Sequence, residues 1–89
     1  MKPKEVKYSA AFFKSLKKFP KQQLKFLRKQ EEIFNSNIFD PRLKTHKLKG
    51  KLADFYSLIS ISYQWRIVFH FEGEDTIVFD NIGTHEIYR

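Results

Sequence analysis

Residues 65–71 read Trp65-Arg66-Ile67-Val68-Phe69-His70-Phe71, in which large apolar side chains alternate with smaller or polar ones. Because successive side chains of a β-strand point to opposite faces, this alternation predicts a strand with Ile67 and Phe69 on its buried face. Arg66 is then expected on the opposite face, away from the large apolar side chains. The same periodicity groups Trp65 with the buried residues, so packing in the core is the leading interpretation of this tryptophan.

The segments around this strand predict the rest of the sheet. Residues 55–62 also alternate and predict a preceding strand, with Phe55, Ser57 and Ile59 on one face. Residues 72–75 contain Gly73 and predict a hairpin turn, and residues 76–82 predict the last strand. Residues 5–8 predict a first strand, which is separated from the others by helices. We expect it at an edge of the sheet, in either orientation.

Two helices are predicted between the first two strands. Ser9 is a suitable N-cap, and Phe12, Leu16 and Phe19 follow helical spacing. Pro20 ends that helix and suits the start of another, over about residues 22–34, whereas residues 38–50 are predicted as a basic loop. The order β-α-α-β-β-β predicts an α+β fold in which both helices pack on one face of a mainly antiparallel, twisted sheet.

Composition limits the class of protein. A length of 89 residues favours one domain over residues 1–89, and ten phenylalanines supply a core in a chain without cysteine. We find no membrane span or signal segment and expect a cytoplasmic protein. Residues 1–52 carry 15 basic and 4 acidic side chains, against 2 and 6 in residues 53–89. This basic segment either binds a polyanion such as nucleic acid or only keeps the protein soluble.

Several kinds of active site are excluded by the residues. The three histidines lack the spacing of a metal site, and no phosphate-binding glycine loop or serine triad is present, so no metal or cofactor is expected. His46 and Lys49, Arg66, and the terminal His85, Glu86 and Tyr88 remain as candidates. Two imidazoles and a guanidinium suffice for metal-free cleavage of an RNA backbone. The alternatives are surface histidines, an ion pair of Arg66 with Glu72 or Asp80, and a packed terminal tyrosine.

The chain resembles the RelE/ParE toxin superfamily over its whole length. The resemblance rests on the element order, on residues 48–50 (Leu-Lys-Gly) and 64–69 (Gln-Trp-Arg-Ile-Val-Phe), and on residues 81–89 (Asn-Ile-Gly-Thr-His-Glu-Ile-Tyr-Arg). The ending looks like the RelE/StbE and YafQ-like branch of type II toxin–antitoxin systems. In that branch the toxin enters the A site of the 70S ribosome and cuts mRNA without metal, through attack of the 2′-oxygen on the adjacent phosphate.

The resemblance implies a role for individual residues. Arg66 matches an arginine that contacts the scissile phosphate, His46 and His85 match proton-transferring histidines, and Tyr88 resembles a C-terminal tyrosine acting as base or orienting group. Trp65 matches an active-site tryptophan, in conflict with its periodicity. The expected RNA- or phosphate-binding residues are Lys44, Lys47, Lys49, Lys51, Trp65 and Glu86.

The chain departs from the family pattern at two places. Residues 56–61 lack the pair of catalytic lysines of RelE-type enzymes, and Gln64 stands where YafQ-like toxins have an aspartate. We therefore expect His85 and His46 to replace the lysines. The resemblance also implies a cognate antitoxin as partner. Two other functions stay open: a ParE-like, non-enzymatic inhibitor of DNA gyrase, and an inactive nucleic-acid-binding module.

Overall fold

The computed structural model describes residues 1–59 and 64–84. The strands and α-helices are β1 (Glu5–Tyr8), α1 (Ala10–Leu16), α2 (Leu24–Ser36), β2 (His46–Lys47), β3 (Tyr56–Ile59), β4 (Trp65–Phe71) and β5 (Thr76–Thr84). Short 3-10 helices cover Lys21–Gln23, Pro41–Leu43 and Gly50–Leu52. The predicted α+β class is confirmed, with two α-helices packed against one mixed sheet. Within the described ranges, no helix is long and apolar enough to cross a bilayer.

The five strands form one sheet in the order β1-β5-β4-β3-β2. β1 pairs with β5 in parallel, and every other pair is antiparallel. The first strand therefore lies at an edge, as expected, and the structure fixes its orientation. The long crossover through α1 and α2 is what allows the parallel pairing, because parallel strands need a connection across one face of the sheet.

The predicted loop at residues 38–50 differs from the structure. It contains the Pro41–Leu43 turn, capped by Asp40, and the short strand β2, which pairs with β3 through His46↔Ser57 and Lys47↔Tyr56. A two-residue strand shows no detectable alternation, so only its pairing partner identifies it. The basic segment around His46 is consequently an edge of the sheet rather than a free loop.

The helices are anchored by the predicted cap at Ser9 and by buried aromatic residues. Ser9 Oγ accepts a hydrogen bond from the Phe12 N–H at 3.0 Å, and the same hydroxyl donates to the Asp80 carbonyl at 2.8 Å. Phe12 of α1 and Phe34 of α2 are buried against Phe79 of β5, with ring centroids 5.6 and 5.0 Å from it. The core thus lies between the helices and one face of the sheet.

A β-bulge interrupts the pairing of β4 with β5. The register passes from Val68↔Asn81 to Phe69↔Phe79, which leaves Asp80 as an extra residue on β5. The bulge turns both Phe79 and Ile82 toward the helices although they are three positions apart, a spacing that would place them on opposite faces of a regular strand. It also lets Asp80 bond Ser9 through its carbonyl while its carboxylate lies on the other side of the sheet.

Candidate functional site

The face of the sheet turned away from α1 and α2, called the distal face below, carries the polar candidates. Cross-strand partners share a face. His46 pairs with Ser57, Ser57 pairs with Val68, and Arg66 lies two residues from Val68 on the same strand. His46 and Arg66 therefore both belong to the distal face. Two strand spacings and two residues separate their Cα atoms, which corresponds to about 12 Å.

The orientation of His46 is fixed by the backbone next to it. His46 is exposed, and its Nδ1 lies 2.9 Å from the Lys44 carbonyl oxygen. Since a carbonyl oxygen only accepts hydrogen bonds, Nδ1 carries the proton in this contact. In the neutral ring Nε2 then holds the lone pair, which is the state required of a general base. Lys44 permits this contact by adopting a left-handed conformation with φ of 52°.

Arg66 is half-buried on the distal face near the start of β4. One terminal nitrogen of its guanidinium donates to the Trp65 carbonyl oxygen at 3.4 Å, a long hydrogen bond. A guanidinium stays charged at all physiological pH values and carries five N–H donors that fit the oxygens of a phosphate. Because β4 lies between two other strands, the backbone that carries this guanidinium is held in a fixed position.

The four predicted phosphate-binding lysines surround His46 along the chain. Lys44, Lys47, Lys49 and Lys51 are all exposed, and β2 is the edge strand of the sheet. Lys47 pairs with Tyr56, which places it on the opposite face from His46. These lysines therefore form a cationic rim at the β2 edge rather than one row on the distal face. Their contact with RNA stays a prediction.

Trp65 lies on the helix side of the sheet. Its ring centroid is 5.0 Å from that of Phe19, and the indole packs against the hydrophobic core. The strand alternation thus separates it from Arg66, which points to the other face. This position agrees with the packing interpretation, and a role in RNA binding stays a prediction.

Three of the predicted site residues fall outside the described residues. His85, Glu86 and Tyr88 belong to residues 85–89, and their expected gathering with Arg66 and His46 is untested. The strand that leads to them is defined: β5 runs beside β4 through Gly83↔Arg66 and Thr84↔Trp65. The last described residues of β5 therefore lie beside Arg66 and Trp65.

Sequence reasoning missed a paired histidine on the distal face. His70 Nδ1 lies 2.7 Å from a carboxylate oxygen of Asp80, whereas the sequence indicated only a surface histidine. The contact depends on the β-bulge at Asp80, and the pattern of side chains along β5 does not predict that bulge. Glu72, the other carboxylate considered for Arg66, bonds Lys7 at 2.8 Å. Within residues 1–59 and 64–84 no group of three or more acidic or histidine side chains is arranged to hold a metal ion.

The fold of this chain is similar to that of several solved toxin structures. No family model matches the chain, and no curated protein matches its sequence. Among solved structures, RelE in the RelB–RelE antitoxin–toxin complex of Methanococcus jannaschii is 29% identical, with a TM-score of 0.72 over 93% of this chain and 95% of that one. YafQ in the DinJ–YafQ toxin–antitoxin complex of E. coli is 18% identical, with a TM-score of 0.73 over 98% and 97%.

A third solved structure has a similar fold. The YoeB/ParE toxin from Agrobacterium tumefaciens is 14% identical, with a TM-score of 0.72 over 91% of this chain and 98% of that one. All three matches cover nearly the full length of both chains. The chain therefore has the fold of these RelE, YafQ and YoeB/ParE toxins.

Proposed function

We propose that this protein is the toxin of a type II toxin–antitoxin system and cleaves mRNA in the ribosomal A site without a metal ion. The observation that supports the proposal is that His46 and Arg66 lie on the same face of the sheet, the distal face, which the two helices do not cover. Backbone cleavage of RNA without metal requires a base, an acid and a fixed cation, and these two residues supply a base and a cation on one rigid surface. The neighbouring lysines at the β2 edge add attraction for a polyanion.

The reaction follows from the groups present. A general base removes the proton of the ribose 2′-OH, and the 2′-oxygen then attacks the adjacent phosphorus. The bond to the 5′-oxygen of the next nucleotide breaks, and a general acid protonates that oxygen. The products are a 2′,3′-cyclic phosphate and a free 5′-OH end, and no external reactant is consumed.

We assign the roles as follows. Arg66 and Lys49 bind the phosphate and stabilise the charge that grows on it. His46, with its lone pair at Nε2, and His85 act as base and acid, and Tyr88 orients or assists the base. In this assignment Glu86 and Lys44, Lys47 and Lys51 contact the RNA outside the reacting atoms.

An antitoxin is the expected protein partner. The RelE and YafQ neighbours were solved in toxin–antitoxin complexes. We propose a cognate antitoxin whose acidic surface covers the basic segment of this chain, because it competes with RNA for the same cations. A chain segment that pairs with the edge strand β2 is one mode by which it binds.

The experiment compares Arg66→Ala with Arg28→Ala, an exposed arginine on α2 outside the proposed site. Purified protein is added to translating ribosomes, and the mRNA ends are mapped. Loss of one donor to the reacting phosphate typically lowers the rate by about 10²–10³-fold, so we expect a decrease of this size for Arg66→Ala and none for Arg28→Ala. Cyclic phosphate ends are expected at each cut.

Other outcomes distinguish the remaining candidates. Undiminished cleavage by both Arg66→Ala and His85→Ala contradicts the mechanism. DNA breaks with intact mRNA identify a ParE-like inhibitor of gyrase, a function kept open by the fold shared with the YoeB/ParE toxin. Salt-sensitive RNA binding that is indifferent to His85→Ala, without cleavage, identifies an inactive binding module.

A further inference from the structure

A cleft opens where β3 separates from β4. The pairing ends at Tyr56↔Phe69, and the carbonyl oxygen of the preceding residue, Phe55, instead accepts a hydrogen bond at 2.9 Å from the N–H of Leu48, the residue that follows β2. The diverging segments enclose a volume of about 430 Å³. The lining residues are Lys47, Asp54, Phe55, Tyr56, His70 and Phe71. Lys47, which is proposed to contact RNA outside the reacting atoms, is among them, whereas the described residues assigned to the reaction itself, His46, Arg66 and Lys49, are not.

One wall of this cleft is an aromatic pair in a fixed orientation. The rings of Phe55 and His70 meet edge to face, with centroids 5.7 Å apart. His70 is itself held by the Asp80 carboxylate at 2.7 Å, so its ring cannot rotate without breaking that bond. A preorganised aromatic wall of this kind suits a flat ring, since unpaired nucleobases stack on aromatic side chains.

The charge of the cleft favours a base over a phosphate. Two carboxylates next to it are already bonded, Asp80 to His70 and Glu72 to Lys7. Asp54 lines the cleft, is exposed, and makes no hydrogen bond or ion pair within the described part of the chain. A carboxylate only accepts hydrogen bonds and repels phosphate, whereas it binds the N–H groups on the edge of a base. Lys47, the one lysine or arginine among the described residues that line the cleft, is placed for the phosphate of the same nucleotide.

We propose that this cleft binds one unpaired nucleobase of the RNA, with guanine preferred. Phe55 stacks on the ring, and Asp54 accepts the two adjacent N–H groups, N1–H and the N2 amino group, that guanine alone presents on its Watson–Crick edge. His70 lies four residues from Arg66 along β4, about 13 Å, so the recognised base flanks the cut rather than carrying the reacting phosphate. The assignment of this base to a substrate rests on the proposed nuclease function.

The test uses the full-length chain and the four nucleoside 5′-monophosphates as probes. NMR titration is expected to shift the backbone signals of residues 54–56 and 70–71, most strongly with guanosine monophosphate. Phe55→Ala is expected to weaken binding about tenfold, as loss of one stacking aromatic typically does. Phe13→Ala, an aromatic that is 54% exposed on α1, serves as the matched control and is expected to change nothing.

Asp54→Asn tests recognition separately from folding, because Asp54 is exposed and carries no structural bond. We expect it to retain stacking and to lose the preference for guanine over adenine, and to shift the sequence context of cleavage in the same direction. Equal binding of all four nucleotides by the unchanged protein, signals that shift only outside the cleft, or an unaltered preference in Asp54→Asn each overturn the proposal.

The two proposals fail separately. Guanine-selective shifts in the cleft together with cleavage that ignores Arg66→Ala refute the nuclease mechanism and leave the base site intact. Cleavage that depends on Arg66 without any nucleotide binding in the cleft does the reverse.

Discussion

The two faces of β4 differ in composition, burial and proposed role. On the helix side, Ile67 and Phe69 are 2% and 0% exposed and belong to the core. On the distal side, Arg66 and His70 are half-buried and engaged in polar contacts. One seven-residue strand therefore supplies both the apolar area that stabilises the fold and the rigid support for charged groups. We therefore expect substitutions on the helix side to lower stability, and substitutions of neighbouring residues on the distal side to change polar contacts and the proposed function.

We expect the largest loss of stability from truncation of Phe79, which lies on the helix side of the sheet. Its ring contacts those of Tyr8, Phe12 and Phe34, with centroids 5.0–5.6 Å away, and so joins β1, α1 and α2. Phe79→Ala is expected to lower the free energy of unfolding by about 3–5 kcal/mol through lost burial and a cavity. Urea denaturation followed by circular dichroism measures this change.

Val78 is the matched control for that experiment because it is the preceding residue on β5. It faces the distal side, opposite His70 and Lys7. Val78→Ala is expected to cost about 1 kcal/mol. A loss for Val78→Ala as large as that for Phe79→Ala would show that the distal face also carries a core.

An intermediate effect is expected at Ser9, which ties the helix layer to the sheet. Its hydroxyl caps α1 and also donates to the carbonyl of the bulge residue Asp80. Ser9→Ala is expected to destabilise the protein by about 1–2 kcal/mol, while Ser9→Thr, which keeps the hydroxyl, retains most of the stability. Thermal unfolding of both variants tests this, and equal melting temperatures for Ser9→Ala and the unchanged protein contradict it.

The smallest effect is expected on the distal face, at the exposed Lys7–Glu72 pair. The hydrogen bond and charge of Lys7 lower the pKa of Glu72, and those of Glu72 raise the pKa of Lys7. A carboxyl whose pKa is lowered on folding stabilises the protein above its ordinary pKa, and this contribution is lost as the pH falls through the lowered value. The unchanged protein should thus lose slightly more stability between pH 5 and pH 3 than Lys7→Ala.

Unfolding midpoints at several pH values measure this difference, and Lys14→Ala, on α1, is the control with no effect on the pH dependence. Hydrogen bonds from the side chain and the backbone N–H of Arg42 lower the pKa of Asp40 to about 2. The stabilisation from Asp40 is therefore also lost at acid pH, but equally in every variant. Identical slopes for Lys7→Ala and the unchanged protein would show that the pair contributes nothing. Added salt should also reduce the difference, because exposed pairs are screened.

The predicted elements were found because their patterns are local. The alternation of residues 65–71 and the cap at Ser9 both depend on neighbours in sequence, and both are confirmed. The first helix is shorter than its apolar spacing indicated, since α1 ends at Leu16 and Phe19 reaches the core from the turn that follows. Burial of an aromatic side chain does not require the helix to continue to it.

The candidate site was only partly accessible to sequence reasoning. The position of Arg66 on the distal face followed from alternation, and the opposite position of Trp65 followed from the same argument. The placement of His46 on that face did not, because it depends on the pairing of a two-residue strand with β3. His70 and Asp80 are ten residues apart, and their contact exists only because of the bulge in β5.

The sequence by itself determined the α+β class, the order of the elements apart from β2, the face on which Arg66 lies and the concentration of positive charge in the first 52 residues. These properties follow from the periodicity of side chains along one strand or helix, and from counting. Only the tertiary structure decided the parallel pairing of β1, the edge position of His46, the His70–Asp80 contact and the cleft beside Phe55. Those depend on register and on where strands part, which are set by the packing of residues far apart in the chain.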